Sequence, residues 1–457
     1  MISVPDRTPL AKIPLNRLAI IALIIGIGTG LFVAALKLST IWVERVVYGA
    51  DHLHNQNHIA QTSPLRLAIT LVILGFVSSW AWFFVHRPSR RSSHGSASKA
   101  ENGGQNGGQN GEKASPTEVS VVGAMRGEKM PFYRTVVSAF LQSITVAAGA
   151  PVGAENAPRI AGSWVAEKFS SSLQLDLEAK RILVAAAAGA GLGASFHLPL
   201  AGVLFTLEVL LAEATTRAVV ISIITTAAAV ATTGYFVDTP DVYNAVSLTE
   251  SPVIMLAAPI VGAIAGLGGH WFSRAANKAA AAAPKGSKIL WQMPLGFAGI
   301  AAVAYFYPTS VANPRWVADT MLSGGLVFGT IILLLVLRTV LFLVAFRVGM
   351  VGGNLIPAFA LGALVGGGVG KLLEPLTGVP VAAFALLGAA AFLAATMAAP
   401  LFGLIAAVEF TDMEPQGYLS IFMAVAAAII AVRLWLVITQ GRQAIPVTYA
   451  SWTGELK

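Results

Sequence analysis

Residues 199–208 read Pro-Leu-Ala-Gly-Val-Leu-Phe-Thr-Leu-Glu, and residues 400–409 read Pro-Leu-Phe-Gly-Leu-Ile-Ala-Ala-Val-Glu. Proline, leucine, glycine and glutamate stand at the same places in both segments. A second pair of motifs is separated by almost the same distance, since Gly153-Ala-Glu-Asn-Ala-Pro158 matches Gly352-Gly-Asn-Leu-Ile-Pro357. Two motifs that recur in the same order indicate that the chain has two related halves.

The composition around these repeats is that of a membrane protein. The chain has 457 residues, of which 56% are hydrophobic and only 11% are charged. Soluble domains carry about 25% charged residues, so this chain has too little polar surface to cover a water-soluble globule. Many of its 45 glycines lie inside apolar runs, where small residues allow membrane helices to approach closely.

The apolar runs predict an all-α, polytopic fold. Clear runs cover residues 18–38, 66–85, 181–195, 218–236, 253–271, 289–306, 322–346, 354–372, 379–397 and 419–439. Runs at 136–152, 199–212 and 400–410 are shorter than the roughly 20 residues that a spanning helix needs, so we expect half-helices that stop inside the membrane. The sequence predicts two inverted-topology repeats, at about 66–236 and 253–440, whose broken helices meet at the bilayer centre.

Charge predicts the orientation of the transmembrane domain, residues 18–457. The N-terminal segment 1–17 is basic, with Arg7, Lys12 and Arg17. The loop 87–116 begins with arginines and continues into a low-complexity tract, which is typical of a disordered cytoplasmic segment. We therefore expect a multi-pass protein of the cell inner membrane with a cytoplasmic N-terminus.

The repeated glycine motifs are candidate anion sites. In Gly149-Ala-Pro-Val-Gly-Ala-Glu-Asn-Ala-Pro-Arg159, glycine and proline end one run, and a new helix can start near Asn156, Ala157 and Pro158, because proline is favoured in a first helical turn. Gly352-Gly-Asn-Leu-Ile-Pro357 opens a second helix, expected over Ala358 to Leu372. Unpaired N–H groups at two such starts can hold a dehydrated anion without a fixed cation.

Glu155 lies in the first of these helix starts. An ionisable residue at membrane depth is a functional candidate, and a carboxylate here competes with anions for the same N–H groups. We expect Glu155 to be a gate that protonation or the permeant anion displaces. The alternative is a carboxylate that only caps the helix.

These motifs together resemble the CLC family of chloride channels and transporters. Gly153 to Gly162 is similar to the family's Gly-Lys/Arg-Glu-Gly-Pro segment, and Ser195 to Glu208 looks like the segment that follows it. Gly352 to Gly366 resembles the family's Gly-x-Phe-x-Pro helix, with Gly352, Gly353 and Pro357 in place. Residues 394–412, which end in Val-Glu-Phe-Thr-Asp, resemble its late Glu-Met-Thr-Asp segment.

The resemblance implies an all-helical homodimer in the lipid bilayer, with one anion pathway in each subunit. It makes Glu155 the gating glutamate. It implies that the N–H groups of Asn354 and Leu355 coordinate the central anion, and that the hydroxyl of Tyr449 donates to it. Chloride or another small anion is then the transported ligand, and no cofactor is expected.

Departures from the family pattern shape the functional expectation. Ala154 replaces a basic residue, and the family's serine motif is not recognisable, which leaves Ser115 as the aligned candidate. Val209 stands where proton-coupled members carry a second glutamate. The sequence therefore predicts a voltage-gated-type chloride channel rather than a coupled exchanger.

Other functions remain as alternatives. The main one is proton/anion antiport of chloride or fluoride, with Glu155 as outer proton acceptor and Glu208 or Glu213 as the inner group. In a purely structural interpretation, Glu208 and Glu409 bond backbone groups near helix ends. An intramembrane enzyme and an organic-acid transporter are disfavoured, because no nucleophile–base set or wide polar cavity is evident. Cysteine is absent, and the net charge of +8 is explained by membrane orientation rather than by nucleic acid.

Overall fold

The computed structural model describes residues 13–49, 58–85, 120–238, 243, 251–311 and 314–440. The described residues are almost entirely helical. The helices are α1 (Leu15–Tyr48), α2 (His58–Gln61), α3 (Pro64–Val85), α4 (Val121–Met125), α5 (Phe132–Ala147), α6 (Asn156–Ser172), α7 (Leu177–Phe196), α8 (Pro199–Leu204), α9 (Thr216–Phe236), α10 (Pro252–Ala281), α11 (Ile289–Phe306), α12 (Pro314–Leu322), α13 (Phe328–Arg347), α14 (Leu355–Thr377), α15 (Val381–Met397), α16 (Pro400–Thr411) and α17 (Tyr418–Gln440). A π-helical segment, Phe205–Leu211, continues α8.

The all-α, multi-pass prediction is confirmed. Within the described residues, eight helical segments are long and apolar enough to cross a membrane. The segments Pro199–Leu211 and Pro400–Thr411 are shorter, as expected for half-helices. Predicted and observed bounds agree at 289–306, whereas α14 begins at Leu355 and not at Ala358. Pro357 therefore lies in the first turn of α14, where no intrahelical N–H bond is needed.

One predicted run begins too early. The run 322–346 coincides with α13 only from Phe328 onward, because its first residue, Leu322, ends α12. Between them Gly324 has φ +77°, a left-handed conformation that glycine adopts without steric cost. A hydropathy window does not register this turn, since its residues are neither charged nor strongly polar.

Equivalent helix pairs show that the halves are related. Helix α1 packs against α9 as α10 packs against α17. Glycines allow both contacts: a Cβ atom at Gly26 would lie 2.6 Å from the carbonyl oxygen of Thr225, and one at Gly262 would lie 2.7 Å from the carbonyl carbon of Ala424. Helix α1 lies before the predicted start of the first repeat at residue 66, yet it has the packing role of α10.

The helices of the candidate site also correspond between the two halves. Helix α6 packs against α7, and α14 packs against α15. The helices that precede them are α5 and α13, and each is followed, two residues after its last residue, by a glycine with positive φ: Gly149 at +99° and Gly349 at +93°. In both places the chain leaves the helix, runs for a few residues, and starts the next helix in the buried interior.

Candidate functional site

A backbone bridge joins the two halves at the centre of the site. The amide N–H of Gly153 donates to the carbonyl oxygen of Gly353 at 2.8 Å, and the N–H of Gly353 donates to the carbonyl oxygen of Gly153 at 2.8 Å. This antiparallel pair lies immediately before α6 and α14. The predicted meeting of two helix starts is therefore present in the structure.

Glu155 connects one helix start to the other. It directly precedes α6, and its side chain is 1% exposed. Its Oε1 accepts a hydrogen bond from the amide N–H of Leu355, the first residue of α14. Its Oε2 has no hydrogen-bond partner among the other described residues. The carboxylate thus accepts a hydrogen bond from an N–H group that we expected, from the sequence, to bind the anion.

Two glycines leave the space that this carboxylate occupies. A Cβ atom added at Gly153 would lie 2.7 Å from the carboxyl carbon of Glu155, and one added at Gly353 would overlap the carboxylate. Side-chain Cβ atoms essentially never approach other atoms this closely. Glycine at both positions is what allows Glu155 to reach Leu355.

Asn156 is held by a polar group that sequence reasoning missed. Its Nδ2 donates to Oε1 of Gln142 at 2.8 Å, and Nε2 of Gln142 donates to Oγ of Ser138 at 3.1 Å. Gln142 and Ser138 are 2% and 5% exposed. Because a buried amide is costly without partners, this chain of bonds fixes the start of α6 against α5. The spacing of Ser138 and Gln142 by one helical turn was the available signal.

Glu208 and Glu409 have a reciprocal arrangement. Oε1 and Oε2 of Glu208 accept the N–H groups of Leu401 and Phe402, at 3.1 and 2.6 Å. Oε1 and Oε2 of Glu409 accept those of Leu200 and Ala201, at 2.8 and 2.7 Å. Each glutamate therefore accepts the unpaired N–H groups in the first turn of the helix in the other half. This agrees with the structural interpretation of both residues, in which they bond backbone groups near helix ends.

The remaining predicted site residues divide into three groups. Ala157 is buried in a small apolar cluster, and Pro158 borders a cavity. Asn354 precedes α14, and its carbonyl oxygen accepts the N–H of Ala358 at 2.9 Å. Ser115 and Tyr449 lie outside the described residues, as does the loop 87–116.

Sequence reasoning also missed the cavity beside the bridge. Its volume is about 130 Å³, and Lys37 of α1 and Arg315 of α12 both line it. Lys37 lies at the end of the apolar run 18–38. A cation inside an apolar run of a spanning helix is a functional signal, and it was available in the sequence.

The chain matches one protein family over most of its length. The sequence profile described as "Voltage gated chloride channel" matches residues 109–433. A relative, the H(+)/Cl(-) exchange transporter ClcA of Cronobacter sakazakii, is 29% identical over 248 residues. This match covers 52% of the chain and 53% of the relative, so about half of each protein is aligned.

Solved structures show the same fold. A slow cyanobacterial Cl-/H+ antiporter superposes with a TM-score of 0.73 at 20% identity, and the match covers 96% of this chain and 97% of that one. A CLC-type fluoride/proton antiporter gives 0.69 at 17% identity, with coverages of 91% and 95%. A eukaryotic CLC transporter gives 0.65 at 18% identity, with coverages of 96% and 74%.

These comparisons correct the expectation of a channel. The aligned relative is a proton/chloride exchanger, and two of these structures are proton-coupled antiporters. The channel prediction depended on Val209, which is apolar and buried. An apolar side chain there removes one proton-carrying group, but it leaves the buried carboxylate of Glu155 beside the helix start of the other half.

Proposed function

This chain belongs to the voltage-gated chloride channel family, and we propose that it is an antiporter that exchanges chloride for protons across a membrane. The observation that carries the proposal is the bond from the N–H of Leu355 to the buried carboxylate of Glu155. One group at this point can carry a proton, and the N–H that it occupies is the kind of donor that binds an anion.

Exchange follows from competition for this N–H group. An ionised carboxylate holds it by a charge-assisted hydrogen bond, which is about twice as strong as a neutral one. When Glu155 takes up a proton the bond weakens, the side chain leaves, and an anion can bind the N–H of Leu355. When the proton leaves, the carboxylate returns and displaces the anion. Protonation and anion binding therefore alternate at one place.

Protons also need a route from the face opposite the cavity. Glu213 is the group we propose for this role, because it follows the π-helical segment and its side chain is 37% exposed, paired with Arg181 at 3.2 Å. Leu211, two residues earlier, packs in a cluster with Leu18 near the start of α1. The cavity contacts the second half of α1 instead. Glu208 is less suited, because both its oxygens already accept backbone N–H groups.

The assembly and orientation are further proposals. We propose a homodimer with one pathway in each subunit, which rests on the family resemblance. The basic segment 1–17 supports a cytoplasmic N-terminus, which places the cavity toward the outer face of the inner membrane. Photobleaching of a labelled chain in liposomes in two steps would support the dimer, and a single step would contradict it.

Flux from liposomes tests the function. Vesicles are loaded with chloride, the voltage is clamped near zero with potassium and valinomycin, and external pH is recorded while chloride runs out. We expect protons to enter against their gradient, so the external solution becomes more alkaline. Fluoride replaces chloride in a parallel series to compare the two anions. Chloride efflux without any proton movement would contradict the proposal.

A further inference from the structure

One side of α10 is exposed along the helix and changes from apolar to cationic. Leu256 and Ile260, near its start, are 76% and 57% exposed. Trp271 lies about three helical turns beyond Ile260 on the same side, and Arg274 and Lys278 follow it at spacings that keep them on that side. All three are exposed. In a spanning helix an exposed apolar side faces lipid, and here it ends in a tryptophan and two cations.

The cationic end of α10 lies across the membrane from the cavity. Tyr243, which precedes α10 in the chain, lines the cavity, so α10 begins on the cavity side. The helix has 30 residues and a length of about 45 Å, which takes it across the bilayer. With the cytoplasmic N-terminus proposed above, its cationic end meets the cytoplasmic leaflet, whose surface potential is negative.

Two tryptophans form the apolar part of this surface. The ring of Trp271 on α10 lies 5.6 Å from the ring of Trp435 on α17, at an angle of 71°, and the two residues are 54% and 38% exposed. Tryptophan is enriched where acyl chains meet headgroups, because its ring is apolar and its N–H is polar. Arg274 and Lys278 lie about 5 and 10 Å further along the helix axis, which places them at the level of the headgroups.

The charge of these two cations is not neutralised by the described part of the chain. No acidic residue occurs from residue 251 to residue 318, or in α17. Neither Arg274 nor Lys278 forms an ion pair with a described residue. By contrast, Arg181, on the same side of the membrane, pairs with Glu213 at 3.2 Å. An anion from outside the chain is therefore the partner that complements Arg274 and Lys278.

The related half has no cations at the equivalent place. The glycines that pack α1 and α10 against their partner helices are at positions 26 and 262, so equivalent residues differ by 236 in number. Arg274 and Lys278 then correspond to Leu38 and Trp42 of α1, which are 50% and 65% exposed. Packing of the two halves does not require cations at these positions. Their presence in α10 alone indicates a role outside the packing of the fold.

We propose that Arg274 and Lys278, together with Trp271 and Trp435, bind the headgroup of an anionic phospholipid. Arginine offers paired N–H donors that match phosphate oxygens, and lysine adds a second charge. The acyl chains lie against the two tryptophan rings and the apolar side of α10. A free phosphate ion would use the cations alone and would leave these apolar groups unpartnered, so the surface fits a lipid.

This lipid site is independent of anion exchange. It stabilises the contact between α10 and α17, and it takes no part in the movement of chloride or protons. Only the choice of the cytoplasmic leaflet rests on the orientation given under the proposed function. The experiments below measure lipid binding and no transport, so their outcome does not depend on whether the protein is an antiporter.

Thermal melting of the full chain in an uncharged detergent tests the site. Phosphatidylglycerol and phosphatidylcholine with identical acyl chains are titrated in parallel. We expect the melting temperature to be about 2–5 °C higher with phosphatidylglycerol, since a ligand that binds only the folded protein stabilises it. In Arg274→Gln/Lys278→Gln most of this difference should disappear. The exchange variant Arg274→Lys/Lys278→Arg keeps both charges and should keep the difference.

Arg433→Gln is the matched control. Arg433 is exposed at the same end of α17, but it is two residues from Trp435 and therefore faces another side of the helix. It should retain the preference of the parent protein for phosphatidylglycerol. Equal stabilisation of the parent protein by the two lipids would overturn the site, as would a preference that survives in Arg274→Gln/Lys278→Gln or is lost equally in Arg433→Gln. Soluble glycerophosphate that produces the full shift would replace the lipid by a free phosphate and overturn the proposal.

Tryptophan quenching in vesicles gives a readout that does not depend on stability. Lipids with brominated acyl chains quench tryptophans that they contact, and Trp271→Phe/Trp435→Phe isolates the contribution of this pair among the nine tryptophans of the chain. We expect brominated phosphatidylglycerol to quench the pair more strongly than brominated phosphatidylcholine at the same mole fraction. This difference should be lost in Arg274→Gln/Lys278→Gln. Equal quenching of the pair by both lipids in the parent protein would also refute the site.

Discussion

Three glutamates that bond to a helix start in the opposite half occupy two kinds of environment. Glu208 and Glu409 each place both carboxylate oxygens on backbone N–H groups of the opposite half. Glu155 also reaches across to the opposite half, but only one of its oxygens is bonded to it. A carboxylate whose two oxygens both accept hydrogen bonds would lose both bonds if it moved. Glu155 is bound through one oxygen only, so it can leave the N–H of Leu355 free to bind an anion.

Removing the charge of Glu155 should have the largest effect on transport. Glu155→Gln mimics a carboxyl group that is always protonated, so the N–H of Leu355 stays available to anions. In the parent protein, chloride flux should rise when the solution is acidified. In Glu155→Gln the flux should be high and nearly independent of pH. Flux measured by a chloride electrode over a series of pH values checks this, and a variant with the parent pH response would show that Glu155 is not the gate.

A methyl group that fills the space around Glu155 should displace its carboxylate without changing its charge. A Cβ atom at Gly353 would overlap the carboxylate, whereas one at Gly299 of α11 would have no atom within 4 Å. We expect Gly353→Ala to reduce proton transport per chloride at least about tenfold, since a shift of an ångström at such a site is costly. Gly299→Ala is the control and should behave as the parent protein. Equal coupling in both variants would show that the position of Glu155 does not matter.

The doubly bound glutamates should affect stability instead of coupling. Glu208→Leu leaves the N–H groups of Leu401 and Phe402 without an acceptor, which should cost about 2–4 kcal/mol of unfolding free energy. Glu213→Leu is the comparison, because its half-exposed ion pair with Arg181 contributes less than about 1 kcal/mol. Thermal melting in detergent measures both. A larger loss in Glu213→Leu would contradict the assignment of Glu208 to structure.

The smallest effect is expected at Gln142. Replacing it by leucine removes the acceptor for Nδ2 of Asn156 and the donor to Ser138, and we expect a loss of about 1–3 kcal/mol of stability. Because Asn156 follows Glu155 directly, proton coupling should also decrease by a few fold at most. Ser138→Ala breaks only the outer bond and is the control. Coupling that falls as far as in Gly353→Ala would give Gln142 a direct role in exchange.

The sequence predicted the helices better than the site. Apolar length and the two repeated motifs are local signals, so the start of α6 at Asn156 and the short segments at 199–212 and 400–410 were predictable. The turn at Gly324 was missed because it is short and uncharged. The bond from Leu355 to Glu155, the bridge between Gly153 and Gly353, and the cavity between Lys37 and Arg315 all join residues far apart in the chain, so no local pattern encodes them.

The inference from Val209 shows a different limit. A single position that lacks a carboxylate was taken to decide between a channel and an exchanger. The relatives named above show that this was wrong. The structure gives the physical reason, since Glu155 keeps a buried carboxyl group at the helix start of the other half, and Glu213 offers another ionisable group beyond the π-helical segment.

The most direct test of the contrast between the glutamates records chloride efflux and proton uptake together, in the same vesicles, for the parent protein, Glu155→Gln and Glu409→Gln. We expect a fixed ratio of chloride to protons in the parent protein. The same ratio should persist in Glu409→Gln, even if less folded protein is recovered. Glu155→Gln should transport chloride without moving protons. Proton uptake that persists in Glu155→Gln, or that is lost in Glu409→Gln while chloride flux remains, would contradict the central claim that Glu155, and not the doubly bound glutamates, couples the two fluxes at the joined helix starts.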